Sequence, residues 1–484
     1  MRYEQSGYPP IDLASPALQA LAAQAQAEIA ALAYPARSWV ERRSPAGEEW
    51  CDVAIVGGGQ SALGLAFGLQ RAGVPDTLCL SAAAPGEAGP WQTYARMETL
   101  RTPKDLVGLE FGLPNLGFRR WYEVQFGAAA WEALGRIARV HWGAYLDWYA
   151  AATCAKIRHR TNVEAIRPIA GGFALALQGP EGPSTLYARR VALATGFEGS
   201  GGWDVPAHIK NSLPPHAYAH SNGPLATGQV AGKRVAVLGH GASAFDNAAW
   251  ALANGAARVD LCFRRAKLPE INPHRWAEQA GFLDHFYDLP DALRWQLGVA
   301  FRRMDQPPTA NGVAAATSYP NFEAHPGRDW LRVAVDGDAI RIDTPKGPLV
   351  ADFLICATGL ATDLARRPEL DLVREHIALW ADRYMPPPAL AHAGLGASPY
   401  LGPDFEFLER RPGSAPYLKH LFCFSYAAMA SHGGQCTSIS GHKFALPRLV
   451  RGVARSLFLE QADTLMPGLE AFDEREILLP SATA

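Results

Sequence analysis

Two glycine clusters are the residues of this chain best suited to chemistry. They sit in Val53-Ala54-Ile55-Val56-Gly57-Gly58-Gly59-Gln60-Ser61-Ala62 and Val235-Ala236-Val237-Leu238-Gly239-His240-Gly241-Ala242-Ser243-Ala244. Each closes a β-branched strand and opens an alanine-rich helix, the context in which a Gly-x-Gly binds a dinucleotide rather than merely turning the chain. The first glycine permits the tight turn. The second lets backbone approach a pyrophosphate at the helix N-terminus, where N–H groups and the dipole favour anions. Ala62 and Ala244 stand where a third glycine is common. The expected contacts are Gly57, Gly59, Gln60, Ser61 and Ala62 for one dinucleotide, and Gly239, Gly241, Ala242 and Ser243 for the other. Two nucleotide cofactors on one polypeptide imply electron transfer.

Other positions refine this reading. Arg264 and Arg265 end the second strand after the second fingerprint. A guanidinium there suits the 2'-phosphate of NADPH, NADH being the alternative, and a solvated basic pair would look the same. The matching position in the first unit is Ser81, where an acid usually holds the adenosine ribose; Glu87 is the nearest substitute. Gly89-Pro90-Trp91-Gln92 could present Trp91 to a flavin ring or bury it as core. Within Leu100-Arg101-Thr102-Pro103-Lys104, Arg101 is a candidate charge partner for reduced flavin or peroxide, or an ordinary surface ion pair, and Thr102 is a candidate cofactor contact. Thr358 and Gly359 end a strand in Ala-Thr-Gly, as Thr195 and Gly196 do. His432, beside two glycines, is a second catalytic candidate. Ser438 and Ser440 precede a helical run, His442 to Arg455; they could set a helix N-terminus against the flavin pyrimidine or simply cap it.

The elements that must position these groups follow from pattern. Residues 14–33 read as an alanine-rich helix, 61–72 as the first fingerprint helix, 77–80 as the next strand and 163–186 as an antiparallel meander. The stretch 121–149 alternates aromatics with alanine at helical spacing, which is more often core than a cavity wall. From 199 to 232 Gly, Pro, His and Asn prevail and a linker is expected; a second unit then runs through a strand at 258–263 and another meander. The fold class is therefore α/β: two Rossmann-like, three-layer ββα dinucleotide-binding domains, one inserted in the other. The expected divisions are an N-terminal helical extension (1–49), the first domain (50–225), the inserted domain (226–356), and a return to the first domain with C-terminal helices (357–484).

Composition narrows the class. A chain of 484 residues exceeds one core, and its formal charge of −2 gives no reason to expect nucleic acid. No apolar run suits a bilayer span and no secretory leader is evident, so a cytoplasmic protein without a membrane partner is expected. Seven cysteines without a C-x-x-C pair fit reduced thiols. Metal, serine-hydrolase and P-loop motifs are absent from the sequence, so no metal is expected.

With these motifs in place, the chain resembles the class B flavin-dependent monooxygenases over roughly residues 50–455. The likeness rests on Gly57-x-Gly59, Gly89-Pro90-Trp91, Gly239-x-Gly241-x-Ser243-Ala244 and Ala357-Thr358-Gly359. It departs where that group carries F-x-G-x-x-x-H, the segment here reading Leu213-Pro214-Pro215-His216-Ala217-Tyr218-Ala219-His220-Ser221. Thr102-Pro103 also replaces the asparagine of the flavin-containing branch. These differences point toward a bacterial branch that includes urate hydroxylases and aspartate-type N-hydroxylases.

The resemblance implies FAD at the first fingerprint and NADPH at the second, with O2 and a small organic molecule as the other reactants. It also implies hydroxylation at nitrogen or a ring carbon through a C4a-(hydro)peroxyflavin. Two rivals differ in class. A flavin reductase would pass electrons to another acceptor, and the disulfide-reductase version lacks its cysteine pair. A non-catalytic nucleotide-binding protein would stay colourless with FAD. The oligomeric state, homo-oligomer included, is left open.

Overall fold

The computed structural model describes residues 8, 10–34, 38–41, 48–106 and 108–477. The first sheet grows from β1 (Trp50–Val56), whose last six residues are buried because helices cover both faces. β1 pairs in parallel with β2 (Thr77–Leu80), and β2 with β3 (Ile157–Arg158). β4 (Asn162–Ile169) and β5 (Gly172–Gly179) form the expected antiparallel meander with β6 (Gly182–Gly196). β6 also pairs in parallel with β1.

The segment expected as a linker carries β7 (Gly201–Trp203) and β8 (Tyr218–His220). β8 is an edge strand of the second sheet, ordered β11-β10-β9-β15-β8, with β9 (Arg234–Leu238), β10 (Arg258–Phe263), β11 (Phe322–Pro326) and β15 (Phe353–Cys356). Three residues are too few to leave a periodic signature, so pairing with β15 alone reveals β8 as a strand. β12 (Arg332–Asp336), β13 (Ala339–Asp343) and β14 (Leu349–Ala351) make the second meander, and β16 (Leu360–Thr362) pairs with β7. The chain then returns to the first sheet: β17 (Leu421–Ser425) lies parallel to the C-terminal half of β6. The second dinucleotide fold is thus inserted in the first.

One steric relation recurs in both units. Gly57 (φ +135) turns against the end of β6, where an added Cβ would stand 2.4 Å from the Ala194 carbonyl oxygen. Gly239 (φ +143) turns against the residue after β15, where a Cβ would stand 2.5 Å from the Ala357 oxygen. Each fingerprint's first glycine therefore packs on the alanine of an Ala-Thr-Gly, which explains why the two motifs recur together.

The fingerprint helices span Gln60–Arg71 and Ala242–Ala253, within a residue of the strand–turn–helix expectation for the first. The aromatic stretch resolves into helices that include Phe118–Phe126 and Arg139–Ala152, and it is core: Trp121, Trp131, Trp142, Tyr145 and Tyr149 are buried. Tyr145 and Tyr149 hydroxyls donate to the Leu116 and Leu109 carbonyls at 2.8 and 2.7 Å, so their polar tips are satisfied inside. The N-terminal helix, Pro16–Ala31, buries Leu18, Leu21 and Ala25 against this layer, and Trp148 Nε1 donates to Leu18 O. Among the described residues no helix is long and apolar enough to cross a membrane.

Gly57→Ala and Gly239→Ala should each destabilise the chain by about 1–3 kcal/mol, because positive φ and a carbonyl clash act together. Thermal melting of the apoprotein checks this; midpoints equal to wild type would contradict it.

Candidate functional site

The helix following each fingerprint leaves an open cradle at its N-terminus. An added Cβ at Gly59 or Gly241 would meet nothing within 4 Å, so the backbone faces space there rather than protein. A cavity of about 390 Å³ opens in front of Gly58 and Gly59 and continues past Trp91 and Gln92. This vacant backbone at a helix N-terminus fits a diphosphate.

Side chains around the first cradle are tightly placed. Trp142 Nε1 donates to Gln60 Oε1 at 3.0 Å, and Ser61 Oγ lies 2.9 Å from His442 Nε2 with both groups buried. That contact joins the first turn of the first fingerprint helix to the first turn of helix His442–Glu460. Ala62 is fully buried. Trp91 is buried but lines the cavity, edge-on to Trp142 with centroids 6.4 Å apart, and its carbonyl accepts a hydrogen bond from Arg139. Ser438 Oγ donates to Gln435 O at 2.7 Å, lies 3.0 Å from Ser440 Oγ and accepts from Gly441 N, so these hydroxyls shape the turn that starts the C-terminal helix.

At the second cradle Ser243 Oγ donates to Ser221 Oγ at 2.8 Å, tying the fingerprint helix to the end of β8. Ala242 is the first residue of that helix. Thr358 Oγ1 donates to Asp204 O, and Gly359 O accepts from Asp204 N at 3.0 Å and faces His220 Nε2 at 3.1 Å. Arg264 is exposed past β10; Arg265 is half-buried with Asp305 Oδ2 at 3.3 Å, and the same carboxylate oxygen lies 2.9 Å from His240 Nε2.

Arg101 is half-buried between the two units rather than a surface ion pair. Its Nη2 donates to Pro307 O at 2.6 Å, and its charge acts on Asp246 of the second fingerprint helix. Burial lowers the Arg101 pKa, with Asp246 opposing and Arg136 and Arg275 adding to the shift. Burial pushes the Asp246 carboxyl up to about 7 against the pull of Arg101. Thr102 is half-buried beside it.

His432 is not brought to this group. It stacks on Phe405 and Tyr287 at 3.6 and 4.8 Å, with Nε2 3.0 Å from Gly402 O, and burial holds the imidazole well below its usual pKa. Its glycine neighbours made it a catalytic candidate, whereas the structure buries it in an aromatic stack. The sequence alone does not single out His442, which the fold brings against Ser61, or Asp246, on which Arg101 acts.

Fold and cradles together fit an oxidoreductase with two dinucleotide sites. A profile described as FAD-NAD(P)-binding matches residues 54–198, and one described as L-lysine 6-monooxygenase/L-ornithine 5-monooxygenase matches residues 131–310. An FAD-dependent urate hydroxylase from Xanthomonas campestris is 44% identical over 458 residues, covering 94% of this chain and 96% of the relative. An ornithine hydroxylase from Pseudomonas aeruginosa has the same fold at TM-score 0.65 and 18% identity, covering 85% of this chain and 99% of its own. A cadaverine monooxygenase from Erwinia amylovora, solved with FAD, gives TM-score 0.64 at 14% identity, covering 84% and 95%. The chain belongs to the class B flavin-dependent monooxygenases, in the family of the urate hydroxylase. It is an enzyme that binds FAD and NAD(P)H and hydroxylates a small organic substrate.

Burial pushes His442 down to about 3, so it is neutral in the folded chain whereas the unfolded chain protonates it below about 6.5. Its contribution is therefore intact above pH 6.5 and lost as pH falls toward 3. Relative to His442→Gln, the wild type should lose roughly 1 kcal/mol of stability per pH unit between 6 and 4. Parallel denaturation curves for the two proteins across this range would contradict the assignment.

Proposed function

We propose that this enzyme hydroxylates a planar, anionic heterocycle of the urate type, with FAD at the first fingerprint and NADPH at the second. Bound FAD, reduced by NADPH, supplies the chemistry that places one atom of O2 on the substrate and releases the other as water. The chain's residues bind, orient and exclude water. Gly57, Gly59, Gln60, Ser61 and Ala62 take the FAD diphosphate end, with Trp91, Thr102, Ser438 and Ser440 along the rest of that cofactor. Gly239, Gly241, Ala242, Ser243, Thr358 and Gly359 take the NADPH backbone, and Arg264 with Arg265 the 2'-phosphate. Residues 50–225 and 357–484 form the FAD domain around an NADPH domain at 226–356, with 1–49 as the extension. A cytoplasmic setting suits the seven free thiols.

The observation that carries the substrate class is the charge at the boundary between the two units. Arg101 lies there with Arg136 and Arg275 acting on it, and burial pushes the carboxyl of Asp246, which opposes them, up to about 7. Such a field draws a planar anion and repels the protonated amines of lysine or ornithine. The extent of identity with the urate hydroxylase points the same way.

The test is NADPH oxidation and O2 uptake by the FAD-loaded enzyme with urate, ornithine, lysine and cadaverine, with peroxide release followed in parallel. Urate should accelerate turnover with little peroxide; coupling to an amine and none to urate would reverse the assignment. Arg101→Ala should lower kcat/KM for urate by about 10–100-fold, the loss of one charged hydrogen bond, with flavin content unchanged. Arg264→Ala/Arg265→Ala should raise KM for NADPH about tenfold and leave that for NADH alone. Equal losses with both nucleotides would remove the arginines from that role.

A further inference from the structure

No acid stands in this fold where the ribose-binding one usually does. Ser81 is buried at the end of β2, and Gly58 packs so closely on it that an added Cβ would stand 2.6 Å from the Ser81 Cβ. Glu87 is exposed on the following loop. The carboxylate comes instead from across the cavity. Gly143, Leu146, Asp147 and Ala150, spaced i, i+3, i+4 and i+7, give helix Arg139–Ala152 one face toward the space in front of Gly58 and Gly59. Asp147 is the sole carboxylate among the residues lining that cavity. Its Oδ2 is 3.6 Å from where a Cβ on Gly86 would stand, so it lies against the loop after β2, and burial pushes its carboxyl up to about 6.

A second orphan sits alongside. β2 and β3 pair Leu80 with Arg158, so His159 leaves β3 in register with Ser81 leaving β2. His159 lines the same cavity, and its Nδ1 is buried without a hydrogen-bond partner among the described residues. A carboxylate and an unpaired imidazole nitrogen thus flank the carboxyl edge of the sheet, where open α/β folds place a nucleotide.

We propose that Asp147 and His159 hold the adenosine half of FAD: the ribose hydroxyls donate to the Asp147 carboxylate, and the adenine amino group donates to His159 Nδ1. Asp147 thereby replaces the acid missing at Ser81. The inference rests on FAD occupying the first fingerprint. Full-length protein stripped of flavin and titrated with FAD tests it. Asp147→Ala should weaken FAD about tenfold or more and Asp147→Asn somewhat less, with the apoprotein melting midpoint and NADP+ affinity unchanged. His159→Ala should weaken FAD severalfold. FAD affinity within about twofold of wild type in Asp147→Ala would overturn the proposal, as would a matching fall in the apoprotein midpoint of Asp147→Asn, which would make Asp147 a packing residue. A wild-type chain that binds no FAD would instead overturn the cofactor placement beneath it.

Discussion

The site depends on one contact made twice: a glycine bent to positive φ against the carbonyl of an alanine at the end of a neighbouring parallel strand. At Gly57 on Ala194, and at Gly239 on Ala357, this contact brings the strand–helix turn down onto the sheet edge. The glycine two residues on then faces open space at a helix N-terminus, where backbone N–H groups and the dipole suit a diphosphate. Any side chain at the first glycine pushes the turn off the sheet. The remaining architecture sets two such turns in a fixed relation, with Arg101 and Asp246 at the boundary between them.

That relation explains how one chain couples two nucleotides. The second sheet is inserted between β6 and β17, so both ends of the insertion attach to the first unit. Ser243 is bonded to Ser221 at the end of β8, and the Arg96 guanidinium donates to the Ser221 and Gly223 carbonyls. Arg101 reaches across to Pro307. These polar contacts join the units together with an apolar cluster in which Trp295 and Val299 of the inserted unit pack with Trp380, Leu395 and Ala430.

Local features were legible in the sequence, and convergent ones were not. Strand, turn and helix at 53–62 and 235–244 are contiguous, so residue type and spacing announced them, and β10 ends at Phe263 as its apolar run does. The repeated Ala-Thr-Gly pointed to two related units before the carbonyl contacts gave the reason. β8 was hidden because three residues have no periodicity, and it exists through pairing with β15. Asp147 and His159 lie far along the chain from Gly58 and reach its cavity from separate elements, beyond any motif. His432 looked chemical for its glycine neighbours, while Phe405 and Tyr287, which bury it, come from distant segments.

One polypeptide is expected to carry two dinucleotides, each in its own glycine cradle. At Gly59 and at Gly241 a leucine Cβ would meet no protein atom within 4 Å, with ordinary backbone angles at both positions, so each substitution should block a ligand and not the fold. Calorimetric titration of the two variants with FAD and then NADP+ is the direct measurement. Gly59→Leu should lose the flavin, whereas Gly241→Leu should keep one equivalent of FAD and lose NADP+. Loss of both ligands from either variant, or of FAD from Gly241→Leu alone, would contradict two separate cradles.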